Sequence, residues 1–350
     1  MRSIQPRHLL KLGLLITALF LFTFALILLK EGAGQFGPFL RNNLRVDNAA
    51  NSLGFGWLFA YGVMSGSPVA AITLTLLDAG SLDRLEAFAM INGSRLGASF
   101  IVLFIGFIYS LRGKGEGRSM STGLLSLLVT QTTYVPALFI GGWILNAGWL
   151  DRYQVAEAGA VTSAFELVFD PIVAWLLTWL PRWALFVIGL LVLLGSFSLL
   201  DRALPEIHLE KGGFKGMARI LYRPVWTFLL GGAVTFVTMS VSLSVSILVP
   251  LSVRGYVRRE NIIPYVMGAN ITTFIDTLIA AVLLRNADAF TVVLLEMLSI
   301  GIVSLVIIGL FYRRYERFVL DVLQTITRSR RRLAVYMIGI VGIPVLLMLI

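Results

Sequence analysis

Two stretches of this chain repeat the same landmarks at a constant separation. Met64-Ser65-Gly66-Ser67 followed by Gly93 recurs as Met239-Ser240-Val241-Ser242 followed by Gly268. Met64 and Met239 are 175 positions apart, as are Gly93 and Gly268, so the two stretches align without a gap. Interrupted apolar segments at matching places in two halves are the best sequence indication of a transporter's binding site. The repeat therefore predicts a carrier built from two related halves.

The composition predicts an integral membrane protein. Hydrophobic residues make up 57% of the 350 residues and charged residues only 14%, whereas about a quarter of a soluble domain is charged. The chain has no cysteine and two histidines, which excludes disulfides, thiolate metal sites, thiol nucleophiles and a histidine cluster. We expect a multi-pass protein of the cell membrane that is not an enzyme and carries no cofactor.

The net charge of +10 does not indicate nucleic acid as a partner. The basic residues are concentrated in short segments between apolar runs, which is the pattern of positive-inside loops in a membrane protein. The partner that this charge indicates is the lipid bilayer.

The pattern along the chain predicts an all-α polytopic membrane protein with two inverted repeats. The first repeat covers residues 1–112 and ends with 158–182, and an inserted membrane segment, 113–157, separates its two parts. The second repeat covers 183–315, and a basic interfacial segment with a terminal helix covers 316–350. Each repeat contains a re-entrant helical hairpin, at about 53–79 and 225–253, because the apolar pieces there are too short to cross a hydrocarbon core of about 30 Å.

The apolar run at 9–29 is expected to be the first membrane helix, because it is too long for a cleaved signal peptide and Lys30-Glu31-Gly32 offers no cleavage site. Residues 31–52 are predicted to be a polar loop. Inversion requires an odd number of crossings between equivalent points of the repeats. We therefore expect residues 119–149, interrupted by Gln131-Thr132-Thr133 and Pro136, to dip into the membrane and return.

These landmarks resemble the type II sodium/phosphate cotransporter family over about residues 15–112 and 155–315. The resemblance is carried by Leu29-Lys30-Glu31-Gly32, by the serine-containing hairpin tips and by Gly268-Ala269-Asn270-Ile271-Thr272-Thr273. That family has a Gln-Ser-Ser-Ser motif in each of two inverted repeats. The resemblance implies transport of phosphate with sodium as the coupling ion. This chain departs from the family at the motif glutamines, which are Met64 and Met239 here, and at Arg95, which stands where the family has asparagine.

The hairpin tips provide the predicted anion site. Helix N-termini and hydroxyl groups favour an oxyanion such as phosphate, although small residues at such positions also serve close helix packing. Arg95 stands inside a spanning helix, where a charge costs at least roughly 2.5 kcal/mol. It either binds the anion, forms a structural ion pair with Glu166 or Asp170, or extends towards an interface. The predicted substrate-binding residues are Ser65, Ser67, Ser240, Ser242, Arg95 and Asn270.

Asp276 is the leading candidate for the coupling cation, because a carboxylate beside threonine hydroxyls supplies the oxygen ligands that sodium prefers. The alternative is that Asp276 is the buried partner of a basic group. Glu166 and Glu296 begin helices at similar places in their repeats, where a carboxylate either coordinates a cation or interacts with the helix dipole. The predicted coupling-ion residues are Thr272, Thr273, Asp276, Glu166 and Glu296.

The sequence thus predicts a sodium-coupled symporter of phosphate or a similar oxyanion. A carrier of another anion or a proton-coupled carrier would use the same residue types. A membrane-embedded enzyme acting on lipid phosphates would use Arg95 to hold the phosphate and Glu166 or Asp170 as a base. A third alternative is a scaffold that has lost transport.

Overall fold

The computed structural model describes residues 6–111, 118–149, 159–203, 223–253 and 257–350, and in these ranges every regular element is a helix. Six helical stretches within the described residues are long and apolar enough to cross a membrane, which agrees with an all-α polytopic membrane protein. They are Leu10–Leu44, Arg84–Ile108, Ser119–Asn146, Arg182–Ala203, Arg259–Leu283 and Ala287–Thr327.

The described residues form sixteen α-helices. Those of the first part are α1 (Pro6–Leu44), α2 (Ala49–Val63), α3 (Ser67–Asp78), α4 (Arg84–Ala98), α5 (Phe100–Leu111), α6 (Arg118–Asn146), α7 (Gly159–Leu177) and α8 (Arg182–Ala203). Those of the second part are α9 (Pro224–Thr238), α10 (Val241–Ser246), α11 (Leu248–Val253), α12 (Arg259–Thr272), α13 (Ile275–Leu283), α14 (Ala287–Val306), α15 (Tyr312–Thr327) and α16 (Arg330–Leu347). A π-helical segment, Ile307–Phe311, joins α14 to α15.

Local sequence explains where the helices of the first hairpin begin. The side chain of Asn48 accepts hydrogen bonds from the backbone N–H groups of Ala50 and Asn51, which caps α2. Asp83 caps α4 in the same way, and Glu86 completes a capping box with it. The second hairpin begins instead with Pro224, whose fixed φ suits the first helical turn.

The two hairpins have the same local structure at matching positions. Helix α2 ends at Val63 and α9 ends at Thr238, which are 175 positions apart. The next residues, Met64 and Met239, both adopt the left-handed conformation, with φ of 56° and 47°. Since this conformation is uncommon for a residue with a side chain, its recurrence indicates that both tips are built in the same way.

The packing beside each hairpin also recurs. Gly56 and Gly231 lie against the carbonyl groups of Met90 and Tyr265, and each pair has the same separation along the chain. Gly93 and Gly268 lie against the carbonyls of Leu53 and Phe228, again at matching positions. A Cβ atom at any of these glycines would collide with backbone. Helix α2 therefore packs on α4 as α9 packs on α12.

Helix α6 lies between the two halves and contacts both. Where it contacts α4 and α5, residue numbers rise along those two helices as they fall along α6. Tyr134, late in α6, accepts a hydrogen bond from Asn92 in α4, while Ser119, at the start of α6, lies against Gly106 in α5. The segment α4–α5 is thus antiparallel to α6.

The contacts of α12 with α6 have the other direction. Arg259, at the start of α12, donates a hydrogen bond to Ser121 near the start of α6. Asn270, near the end of α12, donates to Thr130 farther along α6. Helix α12 is thus parallel to α6, whereas its counterpart α4 is antiparallel to it.

Helix α1 pairs with α8 along much of its length. The rings of Phe36 and Phe186 stack with centroids 4.1 Å apart, and Phe22 meets Phe197 edge to face at 5.4 Å. Because higher numbers in α1 match lower numbers in α8, the two helices are antiparallel. This pair contacts α3 and α13, so it borders both halves.

Three expectations about segment structure are wrong. The predicted loop at 31–52 is largely helical, because α1 continues to Leu44. Residues 119–149 do not turn back at Gln131 to Pro136, since α6 is a single helix from Arg118 to Asn146 with Pro136 inside it. Glu296 does not begin a helix as expected, since it lies in the middle of α14.

Candidate anion and cation site

Arg95 is the central residue of the site. It lies in the last turn of α4 and is only 3% exposed. Its Nη1 donates a hydrogen bond of 3.1 Å to Oγ of Ser67, at the start of α3. Its other bonds go to the second half of the chain, from Nη1 to Oγ1 of Thr273 at 3.4 Å and from Nη2 to Oγ1 of Thr277 at 2.6 Å. One guanidinium group therefore connects the two halves.

The acidic residue beside Arg95 is Asp276. Nη2 of Arg95 is 3.7 Å from Oδ1 of Asp276, and the guanidinium carbon lies 4.7 Å from the centre of the Phe274 ring, within cation–π range. The predicted structural partner Asp170 is exposed instead. The side chain of Glu166, the other predicted partner, lies outside the described residues.

Helix ends explain why this buried pair is tolerated here. The break at Thr273 and Phe274 lets α13 begin at Ile275, so Asp276 stands in its first turn. Arg95 stands in the last turn of α4. A negative group at a helix N-terminus and a positive group at a C-terminus both interact favourably with the helix dipole. Thr277 also donates a hydrogen bond of 2.9 Å to Oδ1 of Asp276.

A small cavity lies next to Arg95 and brings together three of the predicted substrate-binding residues. Arg95, Ser242 and Asn270 all line it, and they come from α4, α10 and α12. Polar residues of α6 also line it, namely Ser126, Thr130 and Tyr134, and apolar residues such as Val102 and Val245 form the rest of the wall. Hydroxyl, amide and guanidinium groups are the donors that an oxyanion requires.

The four serines at the hairpin tips have different positions. Ser67 contacts Arg95, and Ser242 lines the cavity. Ser240 caps α10, where its hydroxyl accepts a hydrogen bond of 3.3 Å from the N–H group of Leu243. Ser65 lies in the turn between α2 and α3 and is partly buried. The structure thus brings Ser67 and Ser242, but not Ser240, to the residues around Arg95.

Asn270 is held between α12 and α6. Its Nδ2 donates a hydrogen bond of 3.2 Å to Oγ1 of Thr130, and its carbonyl oxygen accepts one of 3.0 Å from the hydroxyl of Tyr134. Its neighbours Thr272 and Thr273 make different contacts. The Thr272 hydroxyl donates to the carbonyl of Gly232 at 2.9 Å, so it connects α12 to α9, whereas Thr273 faces Arg95.

Glu296 is fully buried in the middle of α14. Its Oε2 accepts a hydrogen bond of 3.3 Å from Nδ2 of Asn92, and the same amide also contacts the carbonyl of Tyr134 at 3.4 Å. Oε1 has no hydrogen-bond partner within the described residues. Tyr134 in turn lines the cavity beside Arg95, so Glu296 is connected to that cavity through hydrogen bonds.

A second small cavity lies on the side of α1 and α8. Asp276 lines it together with Met239 of the second hairpin tip. The other lining residues are Ala18, Leu19, Phe22, Ser196, Phe197, Leu200 and Ile279. Among the described residues no three His, Cys, Asp or Glu side chains are grouped as a transition-metal site would require. A sodium ion would depend on hydroxyl, carbonyl and single carboxylate oxygens.

Sequence reasoning did not identify Thr277, Phe274, Asn92 or Tyr134. Thr277 had a usable signal, because Thr273, Asp276 and Thr277 have the spacing that places residues on one face of a helix. Asn92 directly precedes the repeat glycine Gly93 in an apolar helix, which marks it as a buried amide.

Comparison with protein-family models, with curated proteins and with solved structures finds no match for this chain.

Proposed function

We propose that this protein is a secondary active transporter that carries phosphate or a similar oxyanion together with sodium by alternating access. The observation that carries the proposal is the position of Arg95. A buried cation bonded to hydroxyls from both halves is suited to an anion that must be released when the halves move apart. The predicted site residues Ser67, Ser242 and Asn270 lie close enough to take part.

The directions of the helices support an inverted arrangement of the repeats. Helices α4 and α12 occupy equivalent places, yet the contacts with α6 make one antiparallel and the other parallel to it. Between the two hairpins, the candidate spans in the described residues are α4–α5, α6 and α8. Three crossings reverse the side from which the second hairpin enters, as alternating access from two inverted repeats requires. With α6 as one crossing, the number of crossings is odd without the return that was expected of residues 119–149.

The chemistry around Arg95 supports an oxyanion as substrate. A guanidinium group binds phosphate or carboxylate through two parallel hydrogen bonds, and hydroxyl and amide donors line the same cavity. The cavity is small. A small anion is therefore favoured over a lipid headgroup with its attached chains.

The coupling ion is proposed from the acidic residues. Asp276 and Thr273 stand beside Arg95, and Glu296 is connected to the cavity through Asn92 and Tyr134. The proposal of sodium rests on the resemblance to the type II sodium/phosphate cotransporters. The unpartnered oxygen of Glu296 favours the alternative of proton coupling, since a protonated carboxyl is less costly to bury than a charged one.

Uptake of radiolabelled phosphate into proteoliposomes, with and without an inward sodium gradient, tests the proposal. We expect sodium-dependent uptake by the wild type and its loss in Arg95→Gln. Arg84→Gln is the matched control, because Arg84 pairs with Asp288 at 3.4 Å far less deeply buried, and it should transport as the wild type does. Absence of uptake by a folded wild type would reject phosphate as substrate. Uptake driven by a proton gradient alone would reject sodium.

A further inference from the structure

The ion pair between Arg95 and Asp276 is deeply buried but incomplete. The side chains are 2% and 4% exposed, yet the nearest oxygen and nitrogen are 3.7 Å apart, which is longer than a charged hydrogen bond. Within the described residues, Nε of Arg95 and Oδ2 of Asp276 have no hydrogen-bond partner. A stable buried pair normally has close geometry and satisfies its remaining donors and acceptors. Both partners therefore have unused binding capacity.

The two charged groups also border different cavities. Arg95 lines the one that contains Ser242 and Asn270, and Asp276 lines the one between α1 and α8. A ligand of Arg95 and a ligand of Asp276 can thus occupy separate places. The pair forms the boundary between these places.

Charge balance links the two places. Arg95 and Asp276 neutralise each other as long as nothing else is bound. An anion that approaches Arg95 adds a negative charge in a region of low dielectric, where an uncompensated charge is costly. A cation bound at Asp276 removes that cost.

We infer that Asp276 is the resident counter-ion of Arg95, that the transported oxyanion takes its place at the guanidinium group, and that the released carboxylate binds the coupling cation. This inference rests on the proposed function and names the residues that couple the two ions. An oxyanion able to accept two parallel hydrogen bonds fits the guanidinium group better than the loosely placed carboxylate does. The bound anion releases the carboxylate of Asp276 for the cation, and the bound cation neutralises that carboxylate. Each ion must therefore raise the affinity of the protein for the other.

Binding of radiolabelled phosphate to the purified full-length protein, in sodium-containing and sodium-free buffer, tests the exchange. The wild type should bind phosphate well only with sodium present. In Asp276→Asn the competing carboxylate is absent, so phosphate should bind in sodium-free buffer roughly tenfold or more tightly than to the wild type in that buffer. Added sodium should then have little further effect. Asp288→Asn, which removes a carboxylate paired with Arg84, should behave as the wild type.

Sodium-dependent phosphate binding that survives unchanged in Asp276→Asn would overturn the inference while leaving the proposed function in place. A wild type that neither binds nor transports phosphate would instead reject the proposed substrate.

A second measurement tests the pairing of Arg95 with Asp276 without any substrate. A hydrophobic carbodiimide adds to a protonated carboxyl group, and mass spectrometry locates the adduct.

Wild-type Asp276 should react slowly with this reagent, because the guanidinium group of Arg95 and the hydroxyl of Thr277 lie against its Oδ1. Arg95→Gln should react several times faster at Asp276, and sodium should slow the reaction. The exposed Asp288 provides an internal reference in the same sample. Equal labelling of Asp276 in the wild type and in Arg95→Gln would show that Arg95 is not its counter-ion and would overturn the inference.

Discussion

Nη2 of Arg95 donates a hydrogen bond of 2.6 Å to Oγ1 of Thr277, although the two residues belong to different halves of the chain. It is shorter than either other hydrogen bond that Arg95 makes among the described residues. The hydroxyl of Thr277 in turn donates a hydrogen bond to Oδ1 of Asp276. Thr277 therefore orients both charged groups at once.

Replacing Thr277 with valine should weaken both stability and transport. The change keeps the shape of the side chain but removes an acceptor from a buried charged donor, at a cost of about 1.5–3 kcal/mol. Thr277→Ser should restore most of the loss. Thr73→Val is the control, because Thr73 is also buried but donates only to a carbonyl of its own helix. Equal melting temperatures of the two valine variants in detergent would contradict this role.

Gly268→Ala should destabilise the protein strongly. The added Cβ would collide with the carbonyl of Phe228, and relieving an overpacked contact of this kind costs about 1–3 kcal/mol. Gly301→Ala is the matched change in α14, where a Cβ meets nothing within 4 Å. It should stabilise the protein by about 0.5–1 kcal/mol through helix propensity alone. Thermal unfolding of the two purified variants distinguishes them, and a shift in the same direction would be inconsistent with the packing described.

Met64 should tolerate glycine better than valine. Its φ of 56° lies in the left-handed region, where a β-branched residue is strongly disfavoured and glycine is not. We expect Met64→Val to lose about 1–2 kcal/mol relative to Met64→Gly. Met297→Val, in a regular stretch of α14, controls for the change of side chain. A higher free energy of unfolding for Met64→Val than for Met64→Gly would contradict the expectation.

Glu296→Gln should leave the protein folded but lower the apparent affinity for sodium. Glutamine keeps the size of the side chain and still accepts the hydrogen bond from Asn92, while the carboxyl group that can ionise and bind a cation is removed. Sodium titration of phosphate uptake measures the change, for which we expect a rise of roughly tenfold or less in the half-saturating concentration. Glu260→Gln is the control, because Glu260 is exposed at the start of α12. An unchanged sodium titration would assign Glu296 a structural role.

The ends of the hairpin helices were predictable from sequence because the residues that begin and end a helix act locally. A short apolar helix, a serine-containing tip and a proline or glycine recur at a fixed distance, and each acts on its own neighbours. The predicted hairpin limits, 53–79 and 225–253, differ by only a few residues from the ends of α2, α3, α9 and α11. The matching glycines Gly93 and Gly268 were visible for the same reason.

The continuation of α1 was not predictable from local rules. Gly32 and Gly37 are typical of a loop, but in the structure they let α1 pack closely, Gly32 against the backbone of Phe186 and Gly37 against the side chain of Ser81. Tertiary packing outweighs helix propensity there. A glycine in a helix and a glycine in a loop look alike in a single sequence.

Helix α6 was misread because its polar residues looked like a turn. Thr132 and Thr133 satisfy their hydroxyls within the helix by donating to carbonyls one turn earlier, and Gln131 accepts a hydrogen bond from Tyr336 of α16. The partnership of Arg95 with Asp276 was missed for a related reason. The two residues are brought together by the packing of the two halves, and no spacing along the chain encodes that contact.

Helix α6 contacts both α4 and α12, which stand at matching positions of the chain and run in opposite directions along it. It binds α4 through Asn92 and Tyr134, and it binds α12 through Asn270 and Thr130, with different chemistry on its two sides. In a carrier with two identical inverted halves, the states open to opposite sides would be related by a two-fold rotation and would have equal energy. The different contacts that α6 makes with α4 and with α12 remove that equality, so the proposed carrier must have one preferred resting state, and its two directions of turnover must begin from unequal populations.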